Sequence, residues 1–395
     1  MKYYSKEFYI NEKTINTAGV KARDDFDVIL ERMGFQSLPV YYDGLDRQGD
    51  ALSRQIHIYS CVKAASAPLQ KGDVLFMQFP MLQTTLLSDL LIGHLRRLGV
   101  PYVLLLHDLE SLRHGKRVST SLIRKWKTRV VEEGMLHSAA KIIVHNARMR
   151  DNLISMGIAR EKLVDLELFD YLIPNYDAKR RAGKVGKDKP VIIAGNLRPH
   201  KSGYAYNLPS NCSFNLYGVD FTGELNVGSR YFGAFPPDEL PYILRGSFGL
   251  VWDGHSSDTC TGVYGEYLRL NCPHKVSLYL ASGIPVAIWK EAAMADFVTK
   301  NKVGIVISSL HELRETIDRL SEREYMEMVQ NAERIGARLR MGYYSKAAIQ
   351  SCMAALEGRK HYEKDSGIDR QSLRDAGRSG GNDERADRLP APRSL

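Results

Sequence analysis

Residues 262–289, GVYGEYLRLNCPHKVSLYLASGIPVAIW, decide how this chain is read. They place a glycine-bearing loop, an Asn-Cys-Pro-His-Lys turn, an amphipathic helix and a buried strand in one continuous unit. Pro273, His274 and Lys275 put an imidazole and an ammonium at the first turn of a helix predicted over residues 276–282. The first N–H groups of a helix have no partner within it, and the positive end of its dipole lies there too. The step therefore suits an anion, and a diphosphate is the obvious candidate. Gly283 supplies a helix stop, and residues 284–289 read as the next parallel strand.

The same strand–helix alternation extends outward on both sides. Upstream in the second half, residues 191–194, 214–217 and 248–252 read as strands, and 304–307 follows as a fifth. In the first half, residues 25–33 form an amphipathic helix ending at Gly34, with strands at 73–79, 102–106, 141–144 and 164–168. Alternation of this kind specifies α/β domains, each a parallel sheet with helices on both faces. Residues 175–189 are polar, basic and glycine-containing and read as an interdomain linker. The expected organisation is an N-terminal domain over 1–174, that linker, a second domain over 190–335, and C-terminal helices over 336–357. Residues 358–395 are rich in Arg, Asp, Gly and Ser and are expected to be a disordered tail.

Composition bounds the function classes. Charged residues at 26% and hydrophobic residues at 44% of 395 describe a globular chain with room for two cores. No apolar run reaches the ~20 residues that span a bilayer, and the charged N-terminus lacks the apolar core of a signal peptide, so a cytoplasmic location is expected. Five scattered cysteines with no CxxC pair suggest neither a disulfide framework nor a zinc site. Part of the +9 net charge is local: Arg113, Lys116, Arg117, Arg124, Lys125, Lys127 and Arg129 surround Trp126. That segment reads as a solvated helix face or as a peripheral membrane contact at the inner face of the membrane. No nucleic-acid motif accompanies it, and no nucleic-acid partner is expected.

In open α/β sheets ligands gather at the carboxyl ends of strands, so residues just after a strand carry the weight. Gly195 allows close backbone approach, and Arg198 and Lys201 bring charge for phosphate oxygens. Tyr217 is placed to stack on a base or to fill the core. The carboxylates of Asp253 and Asp258 resemble a DxD metal pair with the wrong spacing, and a turn with Asx hydrogen bonds accounts for them better. No metal site is expected. The loop from Gly262 offers Glu266 and Asn271 to sugar or ribose hydroxyls, with Asn271 also read as a helix N-cap. In the first half, His107 and Asp108 end a strand, with Gln78, Arg113 and an early polar loop holding Asn16 and Lys21 nearby in the pattern. Asp108 or His107 is the candidate general base, although an Asp after a strand also serves as a helix N-cap.

Together, NTAGVKARDD (16–25), LHDLESLR (106–113), GNLRPHK (195–201), GEYLRLNCPHK (265–275) and YLASGIPV (279–286) resemble GT-B glycosyltransferases. More narrowly, the set is similar to bacterial galactofuranosyltransferases of polysaccharide assembly and to glucosyltransferases that extend O-linked glycans on adhesins. The resemblance covers residues 5–356. It implies two Rossmann-like domains facing across a cleft, a UDP-hexose donor carrying glucose, galactose or galactofuranose, and metal-independent transfer without a cofactor. It also implies a saccharide, glycolipid or glycoprotein acceptor. Carried over by position, Arg198, Lys201, Tyr217, Asn271 and Lys275 fall to the donor side, joined by Gly262, Glu266 and His274 from the loop. Asn16, Lys21, His107 and Asp108 fall to the acceptor side, with Gln78 and Arg113 beside them. Many retaining relatives carry a Glu three residues after the equivalent of Lys275; here Leu278 stands there, and inverting transfer is expected. Ribose contacts are then expected from Tyr217, Glu266 or backbone. Homo-oligomers occur among such proteins, but no residue pattern here calls for one. The competing readings are a catalytically silent GT-B partner or chaperone subunit and a sugar-nucleotide epimerase. Retention of Arg198, Lys201 and Lys275 argues against the first.

Overall fold

In the computed structural model, which describes residues 1–9, 18–42, 50–83, 87–113 and 131–365, the strands gather into two parallel sheets of six. The first contains β1 (Lys2–Tyr9), β2 (Gln36–Tyr42), β3 (Val74–Phe79), β4 (Tyr102–Leu106), β5 (Lys141–Val144) and β6 (Leu163–Asp165), in the order β2-β1-β3-β4-β5-β6. The second contains β7 (Val191–Asn196), β8 (Phe214–Val219), β9 (Arg230–Tyr231), β10 (Gly249–Val251), β11 (Val286–Trp289) and β12 (Gly304–Ile307), in the order β12-β11-β10-β7-β8-β9. Strands β3, β4 and β5 are buried along their whole length, which is why they read as unbroken apolar runs.

Two strands at the start of the chain escape a reading by hydrophobic runs. In β1, lysines and a glutamate interrupt the tyrosines, and β2 carries Pro39. The proline is tolerated because β2 lies at the sheet edge, where Leu38, Val40 and Tyr42 alternate inward. Residues 175–189 are mostly exposed or half-buried, with Arg181 as their buried anchor. Arg181 is buried and donates to the carbonyls of Ser282 (3.1 Å) and Leu244. Arg180 lies 3.8 Å from the Tyr242 ring centroid, and Val185 bridges Gly246. Carbonyl acceptors hold the Arg181 guanidinium, and an aromatic face takes that of Arg180. The boundary expected at 335/336 falls inside the helix Glu322–Arg340, and the helix Tyr343–Asp365 runs beyond 357. Residues 366–395, expected to be disordered, lie outside the described residues.

The segment after β6 ties the two halves together. Lys21, on the helix Ala18–Arg32, is buried and reaches Asp25 (2.8 Å), the carbonyl of Leu172 (2.7 Å) and Asp238 of the second half (2.7 Å). Asp170 is buried, and its carboxylate accepts from the N–H groups of Tyr344 and Ser345 at the start of the last helix. Phe169 is ringed by His107, His145 and His274, with centroids 5.4, 5.0 and 6.3 Å away. Burial pushes the imidazoles of His145 and His274 down to about 4, and that of His107 well below the usual range. All three are neutral at pH 7.

A histidine buried neutral stabilises the fold above its unfolded pKa of ~6.5, and that contribution is lost as pH falls towards its folded value. Burial raises Asp25 to about 6 and Asp27 and Asp170 to about 7, which works in the opposite direction, so the comparison must be between variants. His145→Gln should gain on the parent as pH drops from 6.5 to 4, by up to roughly 3 kcal/mol in urea denaturation. A difference between the two proteins that is flat across that window would contradict a neutral, buried His145.

Candidate active site

The strand order of the second sheet reverses between β7 and β10, so the loops after these strands flank a crevice of the kind that receives ligands. The two loops are bonded to each other: Gly254 N–H donates to Lys201 O at 2.9 Å, and Ser202 pairs with Gly254. Gly254 has φ +110°, and a Cβ there would come within 2.3 Å of Thr261 O, so only glycine fits. Lys275 reaches into the crevice edge from the helix His274–Ala281 and donates to Trp252 O (3.0 Å) and Asp253 Oδ1 (2.9 Å). Burial pulls the Lys201 ammonium down, Asp253 opposes this, and Lys275 adds to it. Lys275 is thus paired with the buried Asp253, and Lys201 lies within electrostatic reach of both. Beside them, the helix start at Pro273 carries no side-chain cap. Asn271, expected as that cap, lies two residues further out, and its Oδ1 is buried with no hydrogen-bond partner in the structure.

Other expected donor residues are placed differently. Tyr217 is fully buried, stacked on Phe232 at 4.8 Å, and its hydroxyl accepts from Arg245 N–H. It is a core residue and cannot stack on a base or meet a ribose. His274 is likewise corrected: it is neutral, stacks on Tyr171 at 5.0 Å and donates to Asp170 O at 3.3 Å, so it brings no charge to an anion. Arg198 is exposed at the rim and paired with Asp220 at 2.7 Å. Gly262 opens the short helix Gly262–Tyr267 with φ +74°. Glu266 is exposed and held by Arg269 (2.9 Å), whose guanidinium also pairs with Glu291 and covers Trp289. Asp253 and Asp258 do not converge: the first is buried against Lys275, and the second is exposed beside Ser256.

At the carboxyl edge of the first sheet, Gln78 is buried and donates its amide to Asp27 Oδ1 (2.7 Å) and Arg23 O (3.2 Å). Its oxygen must then accept from His107 Nε2, which fixes the proton on that nitrogen. His107 thus donates through Nε2, and burial leaves its imidazole neutral and a poor base. Asp108 is half-exposed, with Arg113 at 3.4 Å. Gln78 holds His107 and does not line an open acceptor site, and Lys21 is enclosed by the three acceptors described above. Asn16 and residues 114–129 of the basic segment lie outside the described residues.

The two edges meet through residues that sequence reasoning passed over. The Tyr264 ring takes Arg113 from the first half at 4.9 Å and Lys201 from the second at 5.6 Å. Tyr267 OH accepts from Leu109 N–H (3.3 Å), Cys272 N–H donates to His145 Nδ1 (3.0 Å), and Asn146 Nδ2 donates to Leu270 O (2.9 Å). His145 and Asn146 follow β5 directly, the same position-after-strand signal that picks out His107 and Asp108. Arg23, near Glu7, Asp27 and Asp108, sits inside the quoted 16–25 motif without having been singled out. Among the described residues, no group of three or more His, Cys, Asp or Glu is arranged to hold a metal ion. No helix there is long and apolar enough to cross a membrane.

Comparison with known proteins agrees with this architecture. Residues 2–168 match the family description "Glucosyltransferase 3-like, N-terminal domain", and residues 191–352 match "Glucosyltransferase 3-like, C-terminal domain". The chain is 32% identical to the beta-1,6-galactofuranosyltransferase WbbI of Escherichia coli K12, across 89% of this chain and all of that one. It is 24% identical to glucosyltransferase 3 of Streptococcus gordonii, across 83% and 92% of the two chains. Among solved structures, Anabaena HepE in complex with UDP-glucose superposes with a TM-score of 0.53 at 13% identity, over 91% of this chain and all of that one, a likeness of fold. The two linked parallel sheets, the crevice at the β7–β10 reversal and these matches make the chain a member of the glucosyltransferase 3-like family of GT-B glycosyltransferases.

Proposed function

We propose that the protein transfers a hexose from a UDP-sugar to a saccharide hydroxyl in surface polysaccharide or glycoprotein glycan assembly, with inversion and without a metal ion. The observation that carries this reading is Lys275 held on Trp252 O and Asp253 at the β7–β10 reversal, beside an uncapped helix start and with the Lys201 loop bonded to Gly254. An ammonium has three N–H donors, and Lys275 spends two on Trp252 O and Asp253. The third is available for a diphosphate oxygen, and Lys201 and the first-turn N–H groups add to it. This charge stabilises the departing UDP where other transferases use a divalent cation. Arg198, at the rim, is released from Asp220 to meet the donor. The relatives' names support glucose or galactofuranose as the sugar. An acceptor in polysaccharide or glycan assembly follows from the resemblance, and work at the inner face of the membrane is the reading of the basic segment 113–129.

Asp108 is the general base in this reading. It is the exposed carboxylate at the β4 end, with Arg113 beside it and the donor loop opposite. It takes the acceptor hydroxyl proton as the oxygen attacks the anomeric carbon and the bond to UDP breaks. His107 is the weaker candidate, because burial pulls the basicity of its imidazole well below the usual range.

Lys275→Ala should weaken UDP binding in calorimetry by about tenfold or more, as expected for the loss of a charge-assisted hydrogen bond. Unchanged affinity would remove the central assignment. Asp108→Asn should lower kcat by about 10²-fold or more at nearly constant UDP affinity, as for loss of a general base. Full transfer by this variant would exclude Asp108 as the base. Excess EDTA should leave turnover with UDP-glucose or UDP-galactofuranose unchanged; strong inhibition would restore a metal mechanism.

A further inference from the structure

We propose that His145 and Tyr267 are positioning residues that hold the Asp108 turn in register with the donor loop; the proposal rests on Asp108 being the base. His145 is 1% exposed and lies between two backbone groups. Cys272 N–H donates to its Nδ1 at 3.0 Å, so the ring proton sits on Nε2, which donates to Leu106 O at 3.1 Å. One imidazole therefore joins the residue before His107 to the residue after Asn271. Tyr267 comes from the other side. Its ring is buried in the hydrophobic core of the first sheet, with Leu106 and Leu109, although it belongs to the loop that follows β10. Its hydroxyl accepts from Leu109 N–H at 3.3 Å.

The pair His107-Asp108 is thus bracketed. The carbonyl before it is tied through His145 to Cys272, and the amide after it is tied to Tyr267. Both ties end in residues 262–275, the stretch that also delivers Lys275 to the diphosphate crevice. Asn146, bonded to Leu270 O, adds a third link to the same stretch. The distance from Asp108 to the donor is then set by backbone hydrogen bonds across the domain boundary. A misplacement of about 1 Å at such a site is enough to cost a large rate factor, so the bracket acts on turnover.

The test compares Tyr267→Phe, His145→Phe, His145→Gln and the double Tyr267→Phe/His145→Phe, with rates at pH 7.5 normalised to folded protein. Tyr267→Phe and His145→Phe should each lower kcat about tenfold with KM for the UDP-sugar within about threefold, the signature of lost positioning. His145→Gln, whose amide keeps one donor and one acceptor, should recover most of that rate. The double variant should lose less than the product of the single losses, because both bonds act on one turn. Unchanged kcat in the folded fraction of Tyr267→Phe and His145→Phe overturns the proposal and leaves these residues a structural role only. A raised donor KM at unchanged kcat also overturns it, assigning them to the donor pocket. Asp108→Asn assayed in parallel separates the levels: if it is inactive while the bracket variants are fully active, this inference alone fails. If Asp108→Asn transfers at full rate, the base assignment and the bracket built on it fall together.

Discussion

The contact on which the site depends is the buried ammonium of Lys275 held between Trp252 O and Asp253. A lysine is strongly hydrated and is seldom buried unless paired. Here one carboxylate and one carbonyl hold it at the end of β10, while Lys201, in the loop after β7, lies over the Tyr264 ring. The carboxylate compensates for part of that charge and leaves the remainder facing the crevice. In the proposed reading a diphosphate completes this arrangement electrostatically.

The second constraint is the neutrality of the histidines at the domain junction. Three imidazoles around Phe169 act as hydrogen-bond crosspieces because burial keeps them uncharged. Charged, they would stand close together beside Arg23 and Lys21. Neutral, each has one donor and one acceptor nitrogen, and His145 uses both to join the two halves. His274, which stands next to Lys275 in sequence, belongs to this junction and not to the anion site. Adjacent residues at a helix start point in different directions, and here His274 turns to Asp170 and Tyr171 while Lys275 turns to Trp252 and Asp253.

Much of this was legible in the sequence because the physics was local. Buried parallel strands announce themselves as apolar runs, so β3, β4, β5 and β7 lay where the pattern put them. Gly283, with φ +67°, ended its helix as expected. The position-after-strand rule placed Lys201 and Asp108 beyond β7 and β4, and the helix-start pattern placed Lys275 at the first turn of its helix, where the structure has them. What escaped depends on packing between distant segments. Whether Tyr217 faces a ligand or Phe232 is set by the fold of the 230s loop, and a single sequence does not display it. Lys21 looked like a ligand-binding lysine because its acceptors, Leu172 O and Asp238, lie more than 150 residues away. The edge strand β2 was hidden by Pro39, a residue excluded from central strands and permitted at edges.

A crystal structure of the protein with UDP tests the central claim most directly. The account predicts diphosphate oxygens within hydrogen-bonding distance of the Nζ atoms of Lys201 and Lys275 and of the N–H groups at the start of the helix His274–Ala281. His274 should remain stacked on Tyr171. UDP bound elsewhere, or seated with its diphosphate away from both lysines, would contradict it.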